Sequence, residues 1–266
     1  MNLSSPQNLA ELIEFTAIES HLHWERWSEI QVINTAELIG TLCTDPNPLF
    51  NQILRVQASH ERFREIIEER KTEANLRQSS LMWLTHSLND TDNGAVLEEH
   101  ALFWVGEASG LVLTHRPSTP DCYHPIEVKR VSSATDLGDW VKIVGAAYGL
   151  NKHALANWEK LHWAMGLDTT SPWQHYLGYR EDIPLCAGSV FRGENSTALS
   201  YLATPSAHRK QGLASSLAYQ LLERETSHSS LPITLFSSNE AYNLLRQMGF
   251  DEKLTQQAYA WGLAQD

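Results

Sequence analysis

Apolar positions Leu9, Leu12, Ile13, Thr16, Ala17 and Trp24 recur at helical spacing over residues 7–27, which predicts an amphipathic first helix. Gln31 to Ile39 reads as a strand, and the stiff turn Asp45-Pro46-Asn47-Pro48 leads into a second strand from Leu49 to Val56. From His60 to Leu76 a narrow stripe of Phe63, Ile66 and Ile67 among Glu, Arg and Lys predicts a helix with one buried edge. Leu81-Met82-Trp83-Leu84 is a short buried strand, Asn89 to Glu99 contains a helix, and Gly110 to His115 is a closing strand. The segment Arg116 to Pro125 has prolines at 117, 120 and 125 and no periodicity, which marks a linker.

After this segment the order of elements begins again. Ile126 to Val131 reads as a strand, Asp136 to Tyr148 as a helix, and Lys152 to Met165 as a second helix carrying Leu155, Trp158, Leu161 and Trp163. An antiparallel meander follows through Gln174 to Arg180, Leu185 to Phe191 and Thr197 to Ala203. Beyond it, Leu213, Leu217 and Leu221 form one helical stripe, Pro232 to Phe236 a strand, and Ala241, Leu244, Leu245 and Met248 a short helix closed by Gly249. The strand Gln257 to Trp261 ends the pattern.

Composition narrows the function classes. The 266 residues carry a net charge of -12 and no long basic block, so nucleic acid is not an expected partner. Met1 to Ser20 lacks a signal-peptide pattern, and the most apolar run, Ala101 to Leu113, contains Glu107 and is too short for a bilayer. No membrane role and a cytoplasmic location are the corresponding expectations. Cys43, Cys122 and Cys186 are far apart and odd in number, which suits free thiols. The twelve histidines are scattered without a metal-binding spacing, so no metal is expected.

Against this acidic background the stretch from Thr204 to Leu217 is locally basic, with Arg209 and Lys210 before Gly212. It reads as a strand end, a tight turn and a helix start. Free backbone N–H groups and the helix dipole favour phosphate there, Gly212 permits close backbone approach, and Ser215 and Ser216 add hydroxyls.

These residues resemble the GNAT superfamily of acyl-CoA-dependent N-acyltransferases. The family's diphosphate signature, Gln or Arg, two residues, Gly, one residue, then Gly or Ala, is filled by Arg209-Lys210-Gln211-Gly212-Leu213-Ala214. A second family element, an Asn after the next strand and a short helix ending in Gly-Phe, is matched by Asn239 through Gly249-Phe250. The resemblance covers residues 126–266. It implies an α/β (α+β) fold with a mixed, mostly antiparallel, splayed sheet, preceded by a smaller α/β domain. The resulting division is residues 1–117 as the N-terminal domain, 118–125 as linker and 126–266 as the acetyl-CoA-binding domain. The element order of the first half is compatible with a degenerate copy of the same fold that lacks a phosphate signature.

The resemblance further implies acetyl-CoA as co-substrate, its pantetheine arm bonding to the backbone of Leu202, Ala203 and Thr204 like an added strand. Arg209, Lys210, Gln211, Gly212, Leu213, Ala214 and Ser215 would hold the diphosphate, and Asn239 would meet the thiol end. The family's usual thiolate-protonating tyrosine corresponds to Leu245, which cannot donate a proton. Tyr242, three residues earlier, is one candidate, and Ser200 and Tyr201 occupy the central-strand region where many members place a glutamate base. His175, Glu181, His208 and Tyr259 are further base candidates.

The function so implied is transfer of acetyl from acetyl-CoA to a primary amine by direct attack in a ternary complex. The acceptor class is a small-molecule amine or a protein N-terminal or lysine amine, and pairing with a second copy of the chain is compatible with this scheme. The alternative is a non-catalytic acyl-CoA sensor or scaffold with the same fold, which the leucine at 245 favours.

Overall fold

Asn8 begins the first helix: its side-chain oxygen accepts from the N–H groups of Ala10 and Glu11, satisfying donors that a helix start leaves open. In a computed structural model describing residues 5–88 and 93–262, this helix, α1, runs Leu9–Leu22 and ends in a short 3-10 turn, His23–Arg26. The chain divides into two compact units, residues 1–110 with 254–266, and residues 111–253.

In the first unit β1 (Ile30–Asn34), β2 (Leu38–Cys43) and β3 (Gln52–Val56) form an antiparallel meander. The single strand expected over Gln31–Ile39 is thus two strands, because Thr35 closes a turn with Leu38 through both its backbone and its hydroxyl. Helix α2 (His60–Leu76), capped by Ser59, crosses to β4 (Leu81–His86), which pairs parallel to β3 at Gln52 with Met82 and Ile53 with Trp83. Helix α3 (Asn93–Glu99) follows, residues 89–92 of the expected helix lying outside the described residues, and then β5 (Phe103–Leu113). The core gathers Leu42, Ile53, Phe63, Ile66, Ile67, Trp83 and Leu97. Helix α1 buries polar as well as apolar positions. Glu14, 4% exposed, is held by Arg55 through two hydrogen bonds of 2.9 and 2.7 Å.

The second unit begins with the end of β5, whose Leu111 and Leu113 enter its core, and continues through β6 (Glu127–Arg130), α4 (Ala134–Tyr148) and α5 (Lys152–Ala164). A capping box at Ser133 and Asp136 starts α4, and Gly149, at φ +65°, ends it. Strands β7 (Trp173–Arg180), β8 (Ile183–Arg192) and β9 (Thr197–Ala203) form the expected meander. Glu181 and Asp182 both have positive φ, the conformation of a two-residue hairpin turn. Helix α6 (Leu213–His228) lays Leu213, Leu217 and Leu221 on one face of the sheet, while α4 covers the other face through Trp140 and its bond to the Gly188 carbonyl. Strand β10 (Ile233–Ser237), helix α7 (Asn239–Gln247) and β11 (Asp251–Trp261) complete the chain.

The unit boundaries differ from the linear division at 117 and 126. Gln256 to Trp261 of β11 pair antiparallel with β4, which returns the C-terminal segment to the first unit. The expected linker belongs to the second unit: the Ser118 N–H donates to Met248, Thr119 to the Tyr219 hydroxyl, and the His124 N–H to Ser216. The two units also repeat each other in order. Each has an antiparallel meander whose third strand carries an extra residue, a helix, and a strand parallel to that third strand over two residue pairs. Among the described residues no helix is long and apolar enough to cross a membrane.

Candidate functional site

Strand β9 is the centre of the second unit's site. On one edge it pairs with β8 along its length. On the other, the register with β10 holds Thr197 opposite Ile233 and Ala198 opposite Thr234, after which the strands part. Past Ala198 this edge of β9 presents backbone N–H and C=O groups to an opening slot, where an extended ligand arm can bond as an added strand.

The part of β9 beside the slot is bulged. Ala187 opposes Ala203 and Ser189 opposes Ser200, so Tyr201 and Leu202 together face Gly188, and Tyr201 has φ +54°. A tyrosine held in the left-handed region costs about 1–2 kcal/mol, which the surrounding packing must offset. Leu202 packs toward α6, where its side chain lies 3.1 Å from a Cβ built on Gly188. The Tyr201 ring turns to the opposite face, stacked on Trp173 at 5.5 Å and edge-on to Trp158 and His162.

Below the slot, the chain from Thr204 to Gly212 makes a short 3-10 turn (Ser206–His208) before α6. Lys210 has φ +60° and Gly212, at the N-cap, φ +73°. A left-handed residue followed by helical ones turns successive N–H groups to the same side, the concave arrangement that holds anions. Arg209, Lys210 and Gln211 are exposed there, and Arg180 on β7 donates to the Gln211 side chain at 2.8 Å. Arg180 thus adds a further cation to the loop. It could not be found by spacing, since 31 positions separate it from Gln211. Thr204, at the strand end, has a buried hydroxyl without a partner among the described residues.

Gly212 has a second reason to lack a side chain. A Cβ there would lie 2.4 Å from the Cys122 carbonyl, since residues 118–124 run along the first turns of α6. The same segment engages the serines expected at phosphate: Ser216 accepts from His124 N–H, and the Cys122 thiol lies 3.1 Å from the Ser215 hydroxyl. The N–H groups at the helix start and the cations of the loop are accordingly the stronger anion-binding features.

The candidate acids and bases separate clearly. Leu245 is 2% exposed in the core, so its side chain serves packing. The Tyr242 hydroxyl donates to Glu252 at 2.8 Å, and that hydrogen bond to a carboxylate raises its pKa, making it a weaker acid. Asn239 is exposed at the first position of α7. Tyr259 belongs to the first unit's core, with its hydroxyl on Gln257. Glu181 occupies the exposed hairpin turn and His208 ends the 3-10 turn.

His175 is buried in a polar chain that sequence spacing did not reveal. Its Nδ1 lies 2.7 Å from the Ser189 hydroxyl and its Nε2 lies 3.1 Å from Nδ1 of His162. Trp140, Trp158, Trp173 and Tyr201 box the two imidazoles, with Trp140 at 4.4 Å from His175 and Trp158 at 4.4 Å from His162. His162 Nε2 has no hydrogen-bond partner among the described residues. Burial in this apolar box lowers His175 to about 3 and pushes His162 well below its ordinary value, so both rings are neutral at pH 7. The same burial keeps Tyr201 a neutral phenol, with its pKa raised well above the usual value.

No family model and no curated protein matches the sequence. Solved structures match over most of the chain. A GCN5-related N-acetyltransferase from Kribbella flavida is 14% identical with a TM-score of 0.72, covering 96% of both chains. A GCN5-related N-acetyltransferase from Sphaerobacter thermophilus is 13% identical with a TM-score of 0.61, covering 85% of this chain and 80% of that one. A tandem GNAT protein from the clavulanic acid biosynthesis pathway is 11% identical with a TM-score of 0.59, over 90% of this chain and 85% of that one. With its splayed β9 and β10, bulged central strand and left-handed loop at the start of α6, the chain carries the fold of the GNAT N-acetyltransferases.

Proposed function

We propose that this chain is an acyl-CoA-dependent N-acyltransferase that moves an acetyl group from acetyl-CoA to a primary amine. The observation that carries the proposal is the parting of β9 and β10 after Ala198, in line with an anion-holding turn at Gly212. Residues 199–203 offer backbone partners for the pantetheine arm, and the N–H groups from Gln211 to Ser215, with Arg180, Arg209 and Lys210, suit a diphosphate. The N-terminal unit repeats the element order without the glycine turn. Its β3 leads through Gln57 and Ala58 to a helix capped by Ser59, so cofactor binding falls to the second unit.

A thioester supplies an already activated acyl group. Alignment of a neutral amine against it is worth up to about 7–11 kcal/mol in well-oriented systems, so a dedicated acid at position 245 is not required. Buried Leu245 and the Tyr242–Glu252 bond favour the second reading, an acyl-CoA sensor of the same fold.

Following free thiol with acetyl-CoA and spermidine, kanamycin, tryptamine or a lysine-containing peptide separates the two. The enzyme reading expects release well above background with at least one amine, and a several-degree rise in melting temperature with acetyl-CoA alone. A melting shift without release from any amine supports the sensor, and no shift at millimolar acetyl-CoA rules out both. Reversing the loop's charge with Arg209→Glu and Lys210→Glu is expected to remove the shift without the backbone collision that a side chain at 212 would cause.

A further inference from the structure

The aromatic box around the two histidines opens at one end, beside the slot. Leu199 and Leu202 of β9 pack into the core with α6, and the bulge turns the Tyr201 ring to the other face, under Trp140 of α4. With the diphosphate end past Thr204, the acyl end of an arm laid along β9 points back past Tyr201 toward Ala198, where β10 parts from the strand. Tyr148 is the last residue of α4, and its ring stands edge-on to that of Tyr201 at 6.3 Å. Here the helical cover gives out: Ala146, Ala147, Tyr148 and Gly149 are exposed, Tyr148 by 51%. Although half open, Tyr148 has its phenol pKa raised by desolvation, as befits a ring set in a concave wall. Tyr201, half-buried, continues that wall to the slotted strand. Glycine or asparagine would fill the left-handed position 201 at lower cost, so the strain there is tied to the presence of a ring.

The charge of the wall is its second feature. Among the described residues no carboxylate and no cation contributes to the pKa shifts of Tyr148, Tyr201, His162 or His175; besides burial, only Tyr148 acts on Tyr201 and only His175 on His162. All four groups are neutral at pH 7. The acidic surplus of the chain, -12 overall, is therefore kept away from these rings. Surroundings that hold two histidines uncharged also penalise an alkylammonium, and they offer neither a carboxylate to pair with that cation nor a charged base to deprotonate it. An arylamine meets neither difficulty. Its lone pair is delocalised into its ring, which leaves the nitrogen uncharged at pH 7, and its flat apolar body suits packing on tyrosine rings.

We propose that the acceptor is an arylamine, a primary amine borne directly on an aromatic ring, which packs on Tyr148 and Tyr201 with its nitrogen toward the slot. The inference rests on the acyltransferase reading and narrows its acceptor. The uncharged nitrogen bonds to the thioester carbonyl carbon, the C–S bond breaks, and the proton shed by the nitrogen goes to the departing sulfur through water, leaving an anilide and a free thiol. Once bonded to carbon, an aryl nitrogen is a much stronger acid than an alkyl one, because losing the proton restores its conjugation with the ring. Water therefore suffices as the carrier, in keeping with a buried leucine at 245.

Free thiol release with acetyl-CoA, corrected for the enzyme-free rate, is compared for 4-methoxyaniline, phenethylamine and spermidine. At pH 7 kcat/KM for 4-methoxyaniline is expected to exceed the other two by about tenfold or more and to stay flat to pH 8, whereas that for phenethylamine should rise about tenfold over the same unit, following its uncharged fraction. Tyr148→Ala should raise KM for 4-methoxyaniline about fivefold or more, with the melting shift by acetyl-CoA unchanged, and Tyr148→Phe should keep the wild-type value. Tyr148→Glu, which sets a carboxylate beside Tyr201, should move the preference toward phenethylamine. Phenethylamine, spermidine or the lysine-containing peptide as the better acceptor, or a KM for 4-methoxyaniline unmoved by Tyr148→Ala, overturns the assignment and leaves acyl transfer standing. Thiol release from no amine, 4-methoxyaniline included, overturns both.

Discussion

Trp140→Ala is expected to destabilise the second unit by about 3–5 kcal/mol, the usual range for truncating a large buried aromatic. Trp140 is 0% exposed, its indole N–H holds the Gly188 carbonyl at 3.2 Å, and its ring lies within 4.4–4.6 Å of both buried histidines. Removal opens a cavity, takes away the indole's hydrogen bond to the buried Gly188 carbonyl and withdraws one wall from Tyr201, whose positive φ depends on being held. Urea denaturation should show a lower midpoint, and thiol release should weaken as the bulge loosens. Trp163 on α5 is 56% exposed, so Trp163→Ala is the control, expected within about 0.5 kcal/mol of wild type. A loss below about 1 kcal/mol for Trp140→Ala would mean that the box is not the structural support of β9.

The second large effect is acid sensitivity. His175 has a folded pKa of about 3 against an unfolded value of 6.5, because burial penalises its charged form. Between these values the unfolded chain binds more protons than the folded one. Stability is therefore full above pH 6.5 and falls as the pH drops toward 3. From pH 7 to pH 5 His175 alone removes about 2 kcal/mol, from about 1.4 kcal/mol per pKa unit, and His162 acts in the same direction. Urea midpoints at the two pH values measure the loss, and the ring shifts of both histidines in the folded protein should stay constant across the interval. Histidines that titrate near 6.5 in the folded protein would show that water or a carboxylate reaches them.

Those features of the fold that are local in sequence were legible in it. The stripe of Leu213, Leu217 and Leu221 and the basic turn before it lie within a few residues of one another, and both occur where the pattern placed them. The same holds for the meander from β7 to β9. What depended on distant partners was hidden. Residues 118–124 read as a linker because their polar groups have no local partners, yet they bond to Ser215, Ser216 and Tyr219 about a hundred positions away. Strand β5 extends back to Phe103 although Phe103, Trp104 and Val105 are all exposed and break the alternation by which strands are recognised. His162 and His175 sit on different elements, 13 positions apart, so only the packing of α5 against the sheet brings their rings together. The left-handed Tyr201 has no signature at all in its residue type, since nothing but tertiary packing forces a tyrosine there.

The central claim is that acyl-CoA lies along β9 and ends on the turn before α6. Amide hydrogen exchange with and without acetyl-CoA tests it most directly, because a ligand that bonds to backbone groups slows exchange where it binds. The account predicts added protection concentrated in residues 199–204 and 209–216, with little change in β1 to β4 of the first unit. Protection confined to the first unit, or no change at saturating acetyl-CoA, would contradict it.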